Sequence, residues 1–309
     1  MKKWVKSFVF LLISISFSFG QDDLLDMLEE TEEPTTDYAF ATFKTTRLVS
    51  GHSVETNAAG VLQFLVGHRF GRVNAGWQEL FGIDNATIRF GFEYGLTDNL
   101  NIGIGRSSFQ KTYDGTIKWR FLRQKSGAEN FPFTATYVAT IFMDTREWAN
   151  PDRENYFSSR LNYNHSLLLA RKFGRTFSLQ LMPSLVHRNL VKTMEDQNTI
   201  FAMGAGTSIR LNGSARFNIE YHYIPEGQII SLIGGEKVQN SLSFGLDFET
   251  GGHVFQFQLT NSRGMTERYL VGETTGSWLD GDIHLGFNIS RVFTVKKPKS
   301  FKNEDDENI

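Results

Sequence analysis

The stretch DGDIHLGFNISRVFTV, Asp280 to Val295, sets His284, Asn288 and Ser290 on one parity and Ile283, Leu285, Phe287 and Ile289 on the other. A histidine, an amide and a hydroxyl on one face are the parts of a nucleophilic site, where base and hydroxyl must lie within hydrogen-bond reach. In an extended strand the two-residue steps spread His284 and Ser290 over about 20 Å, so they cannot react together. His165-Ser166 fails for the opposite reason, because neighbours on a strand point to opposite faces. His52, His68, His165, His187, His222, His253 and His284 lie at wide intervals, with no HExxH, no close pair and no carboxylate–histidine cluster. That spacing points to no metal site. Gly103-Ile104-Gly105 and Gly204-Ala205-Gly206 lack the following helix that a phosphate loop needs; they read as space for neighbouring side chains or as a bend. The expectation is therefore no enzyme, no catalytic residue, no metal and no cofactor.

The elements that would carry such residues are strands. ATIRFGFEYGL places Ile88, Phe90, Phe92, Tyr94 and Leu96 on one face and Thr87, Arg89, Gly91 and Glu93 on the other. SARFNIEYHY and NSLSFGLDFE repeat the pattern, and looser versions occur at 60–70, 99–108, 112–122, 131–144, 157–172, 176–190, 199–212 and 253–261. Period two over eight or more residues means a strand with one apolar and one polar face. Turn residues separate several of these runs, among them Thr97-Asp98-Asn99, Phe173-Gly174-Arg175 and Thr250-Gly251-Gly252. About thirteen strands are expected, the first and weakest near Tyr38–Val49. A short helix is expected only around Gly76–Phe81.

So many strands in one domain must deal with their edges, and closing the sheet removes them. At this strand number the interior is too wide for side chains to fill easily, so the stable closure turns the aromatic face to lipid and keeps water or ion pairs inside. The fold expected is all-β: a single closed antiparallel up-and-down transmembrane barrel of about 12 (12–14) strands. Its outer face also carries His68, Arg106 and His165, assigned to strand ends or headgroup depth. A secreted β-sandwich or jelly roll shows the same alternation and is the soluble alternative.

The whole chain agrees with this picture. Among 309 residues, 28 Phe and 28 Gly against 6 Pro favour aromatic strands joined by turns, and 32 Lys plus Arg against 34 Asp plus Glu give no basic excess for nucleic acid. Cysteine is absent, so no disulfide staples the fold. MKKWVKSFVFLLISISFSFG has the basic start, apolar run and small residues Ser18 and Gly20 of a signal peptide, with cleavage expected between Gly20 and Gln21; an uncleaved anchor is the alternative. Residues 21–37 form an acidic leader, in which Asp22–Glu33 is a solvated run, a short helix docking a periplasmic protein, or a plug for a pore. The barrel is expected over 38–295 and a charged, disordered tail over 296–309.

NATIRFGFEYGLTDNLNIGIGRSSFQKTYDGTIKWRFLRQ (85–124), NSLSFGLDFETGGHVFQFQLTNSRGMTERYL and GDIHLGFNISRVFTV resemble the bacterial β-barrel family DUF5777, a domain of unknown function, over about 38–295. The resemblance implies a Gram-negative outer-membrane barrel and lends no catalytic residue.

Chemistry then rests on the polar parity. Arg69, Arg89, Lys118, Arg120, Arg160, Arg210 and Arg216 fall on it with Glu93, Asp144, Glu220, Asp247, Glu249, His222 and His284. These are the candidate lumen-lining residues, a mixed wall too balanced to predict ion selectivity. Two functions follow. A hydrated lumen makes a channel or porin-like protein for small solutes, in contact with outer-membrane lipid. A lumen closed by its own salt bridges, or by the insert Gly71–Asn85, makes a structural or adaptor barrel. An outer-membrane hydrolase stands behind both.

Overall fold

The computed structural model describes residues 35–297, so the expected signal peptide, most of the acidic leader and most of the tail lie outside the described residues. Twelve strands close into one barrel: β1 (Val61–Arg72), β2 (Thr87–Thr97), β3 (Leu100–Ser107), β4 (Thr112–Leu122), β5 (Thr134–Asp144), β6 (Leu161–Phe173), β7 (Phe177–Arg188), β8 (Thr199–Arg210), β9 (Ala215–Tyr223), β10 (Ser241–Thr250), β11 (His253–Thr260) and β12 (His284–Thr294). Each pairs antiparallel with the next. β12 closes on β1 from His284 opposite Arg72 to Thr294 opposite Val61.

The parity read from the residues is the parity of the wall. In β7, Phe177, Leu179, Leu181, Leu185 and His187 face out, while Ser178, Gln180, Met182, Ser184, Val186 and Arg188 are buried inside. Pro183 lacks an N–H, and the ladder to β6 skips there from Ser166–Ser184 to Leu169–Leu181. Polar side chains on the outer face are absorbed by aromatics. His68 stacks on Phe287, His165 Nδ1 lies 2.6 Å from the Tyr137 hydroxyl, and Arg106 sits over the Tyr113 ring.

Connections at the two ends differ. At the end holding the start of β1 and the finish of β12, four are tight turns (98–99, 174–176, 211–214, 251–252), and 123–133 is longer. Part of the latter, Lys125–Gly127, pairs with Thr36–Tyr38 in a two-stranded ribbon outside the barrel. The opposite end carries the longer loops 73–86, 145–160, 189–198, 224–240 and 261–283, with 108–111 short.

Two expectations are corrected. The segment Tyr38–Val49 is no barrel strand: beyond the ribbon the chain turns into the lumen. Its residues Thr42, Lys44 and Thr46 alternate with Phe43, Thr45 and Arg47, so neither parity is apolar enough to meet lipid. Gly71–Asn85 does not close the barrel either. It forms a 3-10 turn, Trp77–Gly82, with Leu80 and Phe81 at positive φ and Trp77, Leu80 and Phe81 exposed.

Candidate functional site

The lumen is filled from both ends. From the tight-turn end, residues 41–57 enter as a hairpin: Arg47 bridges His52, Ser53 N–H donates to the Thr46 carbonyl, and Leu48 N–H donates to the Gly51 carbonyl. The hairpin tip presents three successive N–H groups to the Glu220 carboxylate, from Val49 at 2.9 Å, Ser50 at 3.1 Å and Gly51 at 3.0 Å. This is an anion-binding nest whose anion is supplied by the barrel wall.

The hairpin's carbonyls are met as systematically. Lys118 Nζ donates to Thr46, Gln256 to Leu48, Gln258 and Asn288 to Val49, and Gln180 to His52, at 2.8–3.2 Å. Gln180 also accepts the Val54 N–H at 2.8 Å, and Arg216 donates to Ala41 and Thr42. Apolar side chains of the hairpin find recesses: a Cβ on Gly206 would overlap Leu48, and one on Gly245 would lie 3.1 Å from Val49. Gly206 and Gly245 thus mark where the hairpin leans, while Gly91, Gly105 and Gly286 leave room for the wall's own Arg89 and Arg69.

From the long-loop end, residues 261–276 descend into the barrel and carry helix α1 (Glu267–Gly272), every residue of which is buried. The two inserts meet. Glu267 accepts the His52 N–H at 3.0 Å and lies 3.7 Å from Arg47 Nη1, while Arg47 Nη2 donates to Glu93 at 3.0 Å. A void of about 10 Å³ remains between Arg47, Ser50, Arg69 and Met265, room for about one water.

The residues proposed for the lumen take several positions. Arg69, Arg89, Glu93, Lys118, Arg216, Glu220, His222, Asp247 and His284 are buried. Arg69 donates to Ser50 Oγ and Gln258, Arg89 pairs with Asp114 at 2.5 Å, and Asp247 accepts from Gln256 at 3.1 Å. His222 Nε2 is 3.2 Å from Glu220, and His284 Nδ1 is 2.9 Å from the Phe70 carbonyl, which it reaches only with its proton on that nitrogen. The others lie toward the mouths. Arg120 donates to the Asp98 carbonyl, Glu249 pairs with Lys44, and Arg210 is exposed beside Asn212. Asp144 and Arg160 sit at the long-loop end, where Asp144 holds Arg146 at 2.5 Å. Asn288 donates to the hairpin's Val49 carbonyl, and His284, Asn288 and Ser290 are all buried positions of the wall.

Above α1 the loops enclose a vestibule of about 660 Å³, lined in part by Asp144, Arg146, Arg188, Lys192, Arg268 and Glu273. Two of its loops are tied together by Asp196, which accepts N–H groups of Ile230 at 2.8 Å and Ser231 at 2.9 Å. Burial alone would raise the Asp196 pKa, but hydrogen bonds from Ser231, Ile230 and Thr193 outweigh it and hold the carboxyl well below its ordinary range.

Arg47, Ser50, His52 and Glu267, the centre of the plug, escape sequence reading because none lies on a strand parity. The one available signal is Ser50-Gly51, a turn pair inside a segment too polar to be a stave.

No curated protein matches the chain in sequence. Among solved structures, the NanC porin overlaps at TM-score 0.47 with 8% identity, covering 75% of this chain and 98% of its own. An outer membrane channel from Pseudomonas putida F1 overlaps at TM-score 0.44 with 13% identity, covering 78% and 98%. The outer membrane phospholipase A from Escherichia coli overlaps at TM-score 0.44 with 11% identity, covering 74% and 89%. Overlaps of this extent carry no argument about function. The family model described as a membrane bound beta barrel domain matches residues 43–293, from the hairpin in the lumen to the penultimate residue of β12. The chain belongs to this family, DUF5777.

Proposed function

We propose that this protein is an outer-membrane channel for small solutes, held shut by its own hairpin. Tight turns at one end and longer loops at the other suit an outer membrane, with the long loops outside. The observation that carries the reading is the chemistry of the plug's attachment. Most of the hydrogen bonds from the wall go to the hairpin main chain, donated or accepted by Glu220, Gln180, Gln256, Gln258, Asn288 and Lys118. Every one of those wall groups is hydrophilic, so water can take the hairpin's place without leaving a polar group stranded. One patch of the wall, Val138, Leu168, Ala170 and Met182, meets the hairpin through apolar side chains, Phe43, Leu48, Val49 and Val54, and exposing it is the cost of opening. Solutes would then pass a lumen of mixed charge, with no cofactor and no bond chemistry.

The test is conductance in planar bilayers, comparing the full chain with a variant lacking 41–57. The full chain is expected to be silent or to open rarely, and the variant to show steady steps. A folded variant that leaves the membrane sealed even when α1 is also replaced by a short linker would overturn the channel. It would favour the second reading, a permanently closed barrel serving a partner, through Asp22–Glu33 or the loops. The recesses at Gly206 and Gly245, shaped for Leu48 and Val49, are what speak for that reading.

A further inference from the structure

We infer that the vestibule at the long-loop end is a binding site for a small anionic solute, a carboxylate- or phosphate-bearing molecule of mono- to disaccharide size. Its volume of about 660 Å³ lies within the range of small-molecule pockets. Six cationic side chains line it, Arg146, Arg153, Arg160, Arg188, Lys192 and Arg268, against three carboxylates, Asp144, Glu147 and Glu273. Two of those carboxylates are engaged: Asp144 holds Arg146, and Glu273 accepts from Arg268 Nε at 3.0 Å. Arg188, Arg160 and Lys192 instead donate to main-chain carbonyls, of Gln197 at 2.8 Å, Asp144 at 2.9 Å and Leu232 at 3.0 Å. A carbonyl satisfies a donor without neutralising its charge, so the vestibule keeps a positive excess.

A second observation points to a ligand. Arg188 and Arg268 are 8% and 6% exposed, and Arg188 Nε and Arg268 Nη1 have no hydrogen-bond partner among the described residues. Buried guanidinium N–H groups are costly to leave unpaired. Their planar fork matches a carboxylate or phosphate, whose oxygens accept several such donors at once. A neutral solute would satisfy the donors and leave the charge, and a cation would worsen it. The site lies outside the plugged lumen, so it stands whether or not the hairpin ever leaves.

The experiment is calorimetric titration of the full chain in detergent micelles with glucose 6-phosphate, glucuronate and glucose. The two anions are expected to bind saturably and glucose not to bind. Lys192→Gln, at a loop position where the barrel's fold is not at stake, should weaken anion binding about threefold or more, and Arg188→Gln about tenfold or more. Glucose binding as tightly as both anions, or an R188Q/K192Q double variant with unchanged anion affinity, would overturn the assignment. Binding of one anion alone would name the source of the charge, phosphate or carboxylate.

Discussion

At the scale of single residues, the plug turns on Glu220. Its side chain is fully buried and accepts three main-chain N–H groups of the hairpin tip, with His222 beside it. Charge-assisted bonds of this kind are roughly twice as strong as neutral ones. Glu220→Gln keeps the volume but removes the charge, and turns an amide NH₂ toward a cluster of donors. The expected cost is about 1–3 kcal/mol of local stability. Hydrogen exchange read by mass spectrometry should show peptides over 47–53 exchanging about tenfold faster or more, with peptides of β9 and β10 unchanged. Equal exchange in the two proteins would mean that the nest does not hold the hairpin. Glu220 was legible as an inner-wall position from parity. Its partners were not, because they are main-chain groups some 170 residues away in sequence, and an N–H leaves no mark on residue type.

Period two identifies the elements of the barrel wall because each strand there must present an apolar face to lipid and a polar face to the lumen. β4 shows this within two residues: Ile117 is exposed on the outside, while the neighbouring Lys118 is buried inside and reaches the Thr46 carbonyl. Ile117→Lys puts a charge next to Lys118 on the same strand but on the lipid side. It is expected to lower the folding stability in vesicles by about 2–4 kcal/mol if the site lies near the midplane. Urea titration of the folded fraction measures this, and a loss below about 0.5 kcal/mol would place that face out of the hydrocarbon. The same rule explains what the residues concealed. A segment that lives inside a polar lumen needs no apolar face, so the hairpin 41–57 has no period to read and its first half resembles a poor strand. Helix α1, six residues long, completes fewer than two turns, too few for a 3.6-residue repeat to emerge.

For the whole molecule, the question is whether barrel and plug are one folding unit or two. The barrel closes by β12 on β1 and has no free edge, so its ladder hydrogen bonds are complete without the hairpin. The hairpin adds polar ties to the wall and, through Arg47 and His52, to Glu267 of α1, so that an insert from each mouth grips the other near mid-lumen. Without residues 41–57, Glu93, Glu220 and Glu267 lose these partners but gain water, and the wall loses the apolar cover that Phe43, Leu48, Val49 and Val54 give Val138, Leu168, Ala170 and Met182, whereas the ladder and the lipid face are untouched. The deletion variant should therefore still fold. On an unboiled gel it should run apart from its boiled form, as is expected of the full chain too, with the conversion temperature lowered by several degrees as expected for the loss of a few kcal/mol. The peptide over α1 should also exchange faster, because Glu267 no longer holds Arg47. If the variant instead ran as an unfolded chain before boiling, the hairpin would be part of the core that builds the barrel, and the lumen could not be a duct that it vacates.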